Sequence, residues 1–400
     1  MSRSTLIVIA FLSITASSYG QASAPSASIA WLRAHYLRHG INASEWFAQS
    51  KDYSPQRLHA YTTLDDIAMI RQMGFDHVRL SIDPVIFDCP TTWEQCERVQ
   101  ILDQVIAKTL SLDLAVILAI HPSGQYKKGL ATSDTAVGQL AILWGRIAAY
   151  YARLDPDRVF YEVLNEPELS DVFRWTGIEQ RLVEEIRRNA PRHTILVAGA
   201  NYSDIPDLVR LPQLADGNLV FVFHYYEPHI FTHQGASWGE AYWNALRHVP
   251  FPGSTDSLND AIAGQTDDYA RWRLTQYGLD HWDQQHVEGE IRFAAEWAKQ
   301  RNVPLICDEF GVYRYFVSAD DRQRWLATVR AVLEENKIGW TMWDYQGGFG
   351  VVSKDTGSTV EDEGVLKALG LRKQSSFAKP ATHSEPLKEA DHSRTEVHER

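Results

Sequence analysis

Short apolar runs alternate with longer stretches of helical periodicity from residue 37 to about residue 370. The runs Leu37–Asn42, His77–Ile82, Leu114–Ile120, Val159–Asn165, Thr194–Ala198, Leu219–His224, Leu305–Glu309 and Gly339–Trp343 predict strands. Several are almost continuously apolar, as parallel strands covered on both faces require. Between them, Leu64–Met73, Val99–Leu112, Asp134–Leu154, Gly177–Asn189, Glu288–Gln300 and Asp320–Glu335 predict helices. Eight strands with intervening helices predict an α/β fold, a single (β/α)8 TIM barrel. The stretch Asp204–Asp216, between the fifth and sixth strands, is short and holds two prolines, so it is the weakest part of the pattern. Tyr225 to Gln285, after the sixth strand, is about 60 residues long, and connections of that length in compact domains usually carry function or structure of their own. It predicts an elaborated loop over the barrel mouth.

The ends of the chain follow other rules. Arg3, the apolar run Leu6–Ile14 and Ala22-Ser23-Ala24 have the order of an export signal, assigned to residues 1–24. That run covers about 14 Å as a helix against a hydrocarbon core of about 30 Å, too short for a membrane span. Residues 373–400 carry five basic and five acidic residues and almost no large apolar ones, and predict a disordered polar tail. The barrel is thereby assigned to residues 25–372, as an exported monomer, periplasmic or extracellular. Export permits disulfides; Cys89 and Cys96 are placed to bridge a loop, and Cys307 in an apolar strand predicts a buried free thiol. The net charge of −12 offers no basic footprint to nucleic acid or anionic lipid. The 13 Trp, 17 Tyr and 15 Phe residues pose the open question of core or ligand surface. Trp31, Trp144, Trp297 and Trp325 fall in helical stretches and read as core, whereas Trp238, Trp243, Trp272 and Trp282 crowd the long connection.

Barrel sites form at the C-terminal ends of the strands. The fourth strand, VFYEVLNEP, ends on Asn165 and Glu166; the seventh, in PLICDEFG, ends on Glu309. Burial at these positions raises a carboxyl pKa. Two carboxyl groups about 5–5.5 Å apart suit retaining glycoside hydrolysis, one protonating the leaving oxygen and the other attacking the anomeric carbon. Glu162 shares a face with Glu166 and predicts pairing with a cation inside the barrel, while Asp308 alternates away from Glu309 and predicts a structural role. His229, His281 and His286 lack metal-ligand spacing, so neither metal nor cofactor is expected.

The ordered motifs Gly40-Ile41-Asn42 with Trp46, Gly74 to Arg79, Ala119-Ile120-His121-Pro122, Asn165-Glu166-Pro167, His224-Tyr225-Tyr226, Glu309-Phe310-Gly311 and Trp340 to Gly350 resemble glycoside hydrolase family 5 over roughly residues 35–370. The resemblance implies Glu166 as acid/base and Glu309 as nucleophile. It also implies Asn165 on the sugar 2-hydroxyl, Tyr226 on the nucleophile, His121 and His224 in the substrate pocket, and Trp343 stacking on the reacting sugar. Arg79, Asn42 and Trp46 complete the expected substrate-binding and supporting set. Two departures stand out: Ala119 occupies a position where the family usually has an acidic residue, and Glu168 adds a negative charge expected to raise the pKa of Glu166 further. The function implied is cleavage of β-1,4-glucan polysaccharide or oligosaccharide, cellulase-like and endo-acting. A β-mannanase, xyloglucanase or exo-β-glucanase on the same scaffold stays open, and a non-catalytic carbohydrate-binding barrel is the remote alternative.

Overall fold

The computed structural model describes residues 28–354 and 357–372; the proposed export signal, like the polar tail, lies outside the described residues. Eight parallel strands close into one barrel in chain order: β1 (His39–Phe47), β2 (His77–Ile82), β3 (Ala115–Ile120), β4 (Val159–Glu162), β5 (Thr194–Ala198), β6 (Leu219–Tyr225), β7 (Leu305–Phe310) and β8 (Gly339–Met342). β1 pairs with β8, so the barrel leaves no edge.

Period-two alternation divides the side chains into two layers. On β3, Val116, Leu118 and Ile120 join the large core between barrel and helices, while Ala115, Ile117 and Ala119 join a smaller inner cluster with Phe160, Leu196, Val220 and Ile306. The short helix Ile29–Ala34 caps the bottom, adding Ala30 to the inner cluster. The outer helices follow the predicted order. Leu64–Met73 matches its expected bounds, starts on a Thr63–Asp66 capping box and ends on Gly74 at φ 99°, a conformation that favours glycine. Trp144, Trp297 and Trp325 are buried as expected.

Differences from the sequence reading collect at the mouth. Strand β4 ends at Glu162, three residues early, and the chain up to Glu168 leaves strand geometry, with Glu166 and Glu168 at φ 42° and 56°. The elaborated loop expected over the mouth is an ordered insertion, built on short helical turns and the helix Asp268–Leu279. Cys89 and Cys96 are bonded, closing a loop beside helix Glu97–Ser111, and Cys307 is a buried free thiol. Among the described residues no helix is long and apolar enough to cross a membrane.

Candidate active site

Arg79, on β2 and fully buried, organises the barrel mouth. A guanidinium has five N–H donors, and here each meets an acceptor. Its Nε and Nη2 hold the two oxygens of Glu162 at 2.6 and 2.5 Å, Nη2 also reaches Asn165 Oδ1 at 2.8 Å, and Nη1 reaches Asn42 Oδ1 at 2.8 Å and Glu309 Oε1 at 2.6 Å. Glu162 therefore pairs with a cation inside the barrel, as its alternation predicts. Asn42 donates to the carbonyl of Asp308 at 3.0 Å, tying β1 to β7 below the cleft.

Glu309 is held at both oxygens, since the Tyr226 hydroxyl donates to Oε2 at 3.0 Å. Its burial pushes the carboxyl up, against the pull of the His224 and Arg79 charges. Glu166 faces it across the mouth. Burial alone would raise Glu166 too, but the hydrogen bond and charge of His224, then Lys127, outweigh it and bring the carboxyl to about 2. His224 Nδ1 lies 3.2 Å from Glu166 Oε1 and 3.5 Å from Glu309 Oε2. Burial disfavours the imidazolium; the surrounding Glu309, Glu166 and Asp308 carboxyls reverse this and lift His224 to about 9.

These values correct the expectation that Glu166 is raised. The charge of Glu168 is met by Lys127, a buried lysine whose Nζ lies 3.0 Å from Glu168 and 3.9 Å from Glu166. Left-handed backbone at a non-glycine residue costs about 1–3 kcal/mol. Here it is fixed by the neighbouring loop: Glu168 N–H donates to the Asn201 carbonyl at 2.6 Å, and Asn201 N–H returns to the Leu169 carbonyl at 3.0 Å. That lattice aims Glu166 into the cleft.

Asp308 does not alternate away from the site. The pairing of β7 shifts register against both β6 and β8, and the irregularity turns Asp308 into the barrel directly under Glu309. It sits 3.6 Å from Arg79 Nε and 3.5 Å from His224 Nε2. Burial and then the charge of Glu162 push its carboxyl well up, against the pull of Arg79 and His224.

The wall of the cleft includes His121 and Trp343, their rings 6.0 Å apart. Burial pushes His121 down, leaving it neutral; Asn165 Nδ2 lies 3.2 Å from its Nε2, and its Nδ1 has no protein partner. Trp46 is not brought to the cleft. β1 runs on to Phe47 through Glu45 at φ 54°, which turns the indole outward from the mouth; it stacks on Phe47 and donates to the Leu58 carbonyl at 2.7 Å. Trp46→Ala is therefore expected to lower stability by about 3–5 kcal/mol, as a denaturant midpoint shift at unchanged slope. Asp344 beside Trp343, pushed up to about 8 chiefly by burial, lines the cleft, and Lys127 lies buried behind Glu166; sequence reasoning missed both.

The facing atoms of Glu166, His224 and Glu309 lie within 4.8 Å of one another, close to the carboxyl spacing of double-displacement glycoside cleavage. That spacing would also admit a cation, but metal ligands must be deprotonated; the surrounding carboxyls favour the imidazolium of His224, and Arg79 already contacts Glu309. A closed (β/α)8 barrel with two such carboxylates at its mouth defines the class of two-carboxylate glycoside hydrolases.

The profile of the family Cellulase (glycosyl hydrolase family 5) matches residues 39–348. The chain belongs to this family. It is 28% identical to Endoglucanase 3 of Fibrobacter succinogenes over 84% of this chain and 53% of that protein. It is 26% identical to Endoglucanase C of Acetivibrio thermocellus over 77% of this chain and 90% of that protein. The chain thus spans about half the length of the first relative and nearly all of the second. Among solved structures, endoglucanase Cel5A of the hyperthermophilic Thermotoga maritima aligns with a TM-score of 0.68 at 26% identity, covering 85% of this chain and 99% of that one.

Proposed function

We propose that this protein is an exported, retaining β-glycoside hydrolase that cleaves β-1,4-glucan, preferentially within the chain. The observation that carries the reading is the facing pair Glu166 and Glu309, with their oxygens and His224 Nδ1 within 4.8 Å. Glu309 Oε attacks the anomeric carbon as the C–O bond to the leaving sugar breaks, and the proton on the Glu166 side of the cleft passes to the leaving oxygen. Water then attacks the glycosyl-enzyme, gives a proton to Glu166, and releases Glu309. Neither step requires a cofactor.

In the open site the proton resides on His224, hydrogen-bonded to an ionised Glu166. Sugar entering the cleft displaces water, which makes the separated charges more costly and moves the shared proton onto Glu166. Tyr226 and Arg79 steady the nucleophile, Asn165 addresses the 2-hydroxyl, His121 backs Asn165 in the cleft wall, and Trp343 supplies a flat apolar face for a pyranose. The Cys89–Cys96 bond supports export, since disulfides persist in oxidising compartments.

Activity is expected to fall on the alkaline side near pH 9, where the His224–Glu166 pair loses its proton. His224→Asn removes the strongest influences lowering Glu166, so its carboxyl rises while the imidazole's reserve is lost. The alkaline limb should move down by about two pH units or more; a limb left near pH 9 would show that His224 does not hold the working proton.

Reducing-sugar release from carboxymethyl cellulose, mannan, xyloglucan and laminarin tests the substrate. Release from mannan alone would overturn the glucan assignment in favour of mannanase. That reading has one point of support: Thermotoga maritima Cel5A, similar in structure to this chain, is described in complex with mannotriose.

A further inference from the structure

The cleft extends well past the catalytic centre. Its volume of 1330 Å³ exceeds the roughly 300–1,000 Å³ of small-ligand sites. Beyond Glu166 it passes Tyr202 and Asp204, on the loop after β5, and reaches a sector walled by the insertion and by helix Gln284–Arg301. Tyr269 and Arg273, on helix Asp268–Leu279, and Phe293, on helix Gln284–Arg301, line that sector.

Helix Asp268–Leu279 buries Ala270, Leu274 and Tyr277 but leaves Tyr269 and Trp272 about half exposed, at 53% and 50%, with Phe293 at 59%. The exposed rings are fixed in place. Tyr269 and Trp272 stack at 5.6 Å and 29°, Tyr242 meets Tyr269 edge-on at 5.2 Å, and the Arg273 guanidinium lies 5.5 Å from the Tyr242 ring and 5.8 Å from that of Trp272. Tyr269 faces the cavity and Trp272 continues the platform outward from it. A group of exposed large aromatic residues rimming one cavity marks a ligand surface more often than a bare one. Flat apolar rings beside a fixed guanidinium match a pyranose, whose C–H face packs on a ring while its hydroxyls accept from N–H groups.

The direction of the sector identifies which part of a ligand enters it. Glu166 addresses the oxygen of the departing sugar. The reacting sugar lies toward Trp343, just past the end of β8, so the sector beyond Glu166, over β5 and the insertion, receives the departing portion. We propose that Tyr269, Trp272 and Arg273 form a distal subsite for the leaving-group portion of a β-linked glucan, at least one sugar beyond the point of cleavage. This rests on the glucan-hydrolase reading above.

The test compares the Y269A/W272A double variant with the unaltered chain on two substrates. An aryl β-cellobioside places only an aryl group beyond Glu166, whereas cellohexaose can fill the distal sector. The variant's loss in kcat/KM on cellohexaose should exceed its loss on the aryl cellobioside by about tenfold, carried mainly in KM. Calorimetry of cellohexaose binding, in a Glu309→Gln background, should show a similar loss of affinity. Equal losses on the two substrates, or no loss on either, would overturn the proposal. If the unaltered chain cleaves both substrates, only the distal subsite has failed; if it cleaves neither, the glucan-hydrolase reading falls and the subsite with it.

Discussion

Glu309→Gln is expected to lose hydrolysis by about 10⁴-fold or more in kcat, while still binding oligosaccharide. The amide matches the carboxylate in shape, and its carbonyl can still accept from Arg79 or Tyr226, the groups that hold the two oxygens at 2.6 and 3.0 Å. What disappears is the electron pair that forms the bond to the anomeric carbon, together with the negative charge facing a developing oxocarbenium ion. Steady-state rates on carboxymethyl cellulose and calorimetric titration with cellotetraose separate the two effects. Turnover within a few fold of the unaltered chain would show that another group is the nucleophile.

Glu166→Ala is the second large effect, and it should depend on the leaving group. On cellulose-derived substrates, whose alkoxide leaves poorly, the loss should be about 10²–10⁴-fold. A dinitrophenyl cellobioside needs no proton to leave, so Glu309 should still be glycosylated at nearly the normal rate. Hydrolysis of the glycosyl-enzyme then lacks its base, and the progress curve should show a burst of dinitrophenolate followed by slow turnover. Equal losses on both kinds of substrate, with no burst, would exclude the acid/base role. Lys127 and His224 make a further distinction possible, because they lower Glu166, His224 by hydrogen bond and charge and Lys127 by charge, without taking its place beside the leaving oxygen. Their replacement should alter the pH profile more than the leaving-group dependence.

Much of this site could be read from strand ends. Glu166 and Glu309 close apolar runs of the kind a barrel interior explains, and Arg79 lies on a strand level with Asn42 of the next. The barrel itself was legible because short apolar runs recur between helical stretches, and its inward side chains because most strands keep period two. What could not be read lies where alternation fails. Period two sends Asp308 away from Glu309, but the register shift in β7 returns it beneath the nucleophile. Trp46 occupies a suitable position in sequence, yet the left-handed turn at Glu45 sends its ring into the core. Lys127 sits on a helix after β3 with nothing in its immediate neighbours to mark it, and only the folded chain brings its ammonium to Glu168 and Glu166. The sign of the Glu166 shift was missed for the same reason: burial and the charge of Glu168 are visible in sequence, and the cations that outweigh them are not.

The full occupancy of Arg79 has a consequence for chemistry the protein does not perform naturally. With all five donors engaged, this guanidinium has none to offer an incoming sugar; it is a frame. Trimming Glu309 to alanine would release its Nη1 hydrogen and the Tyr226 hydroxyl together into a carboxylate-sized space. The result would be a small-anion receptor poised beneath an anomeric carbon. Formate or acetate lodged there could serve as a detachable nucleophile, so that an external salt concentration would set the rate of an otherwise silent barrel.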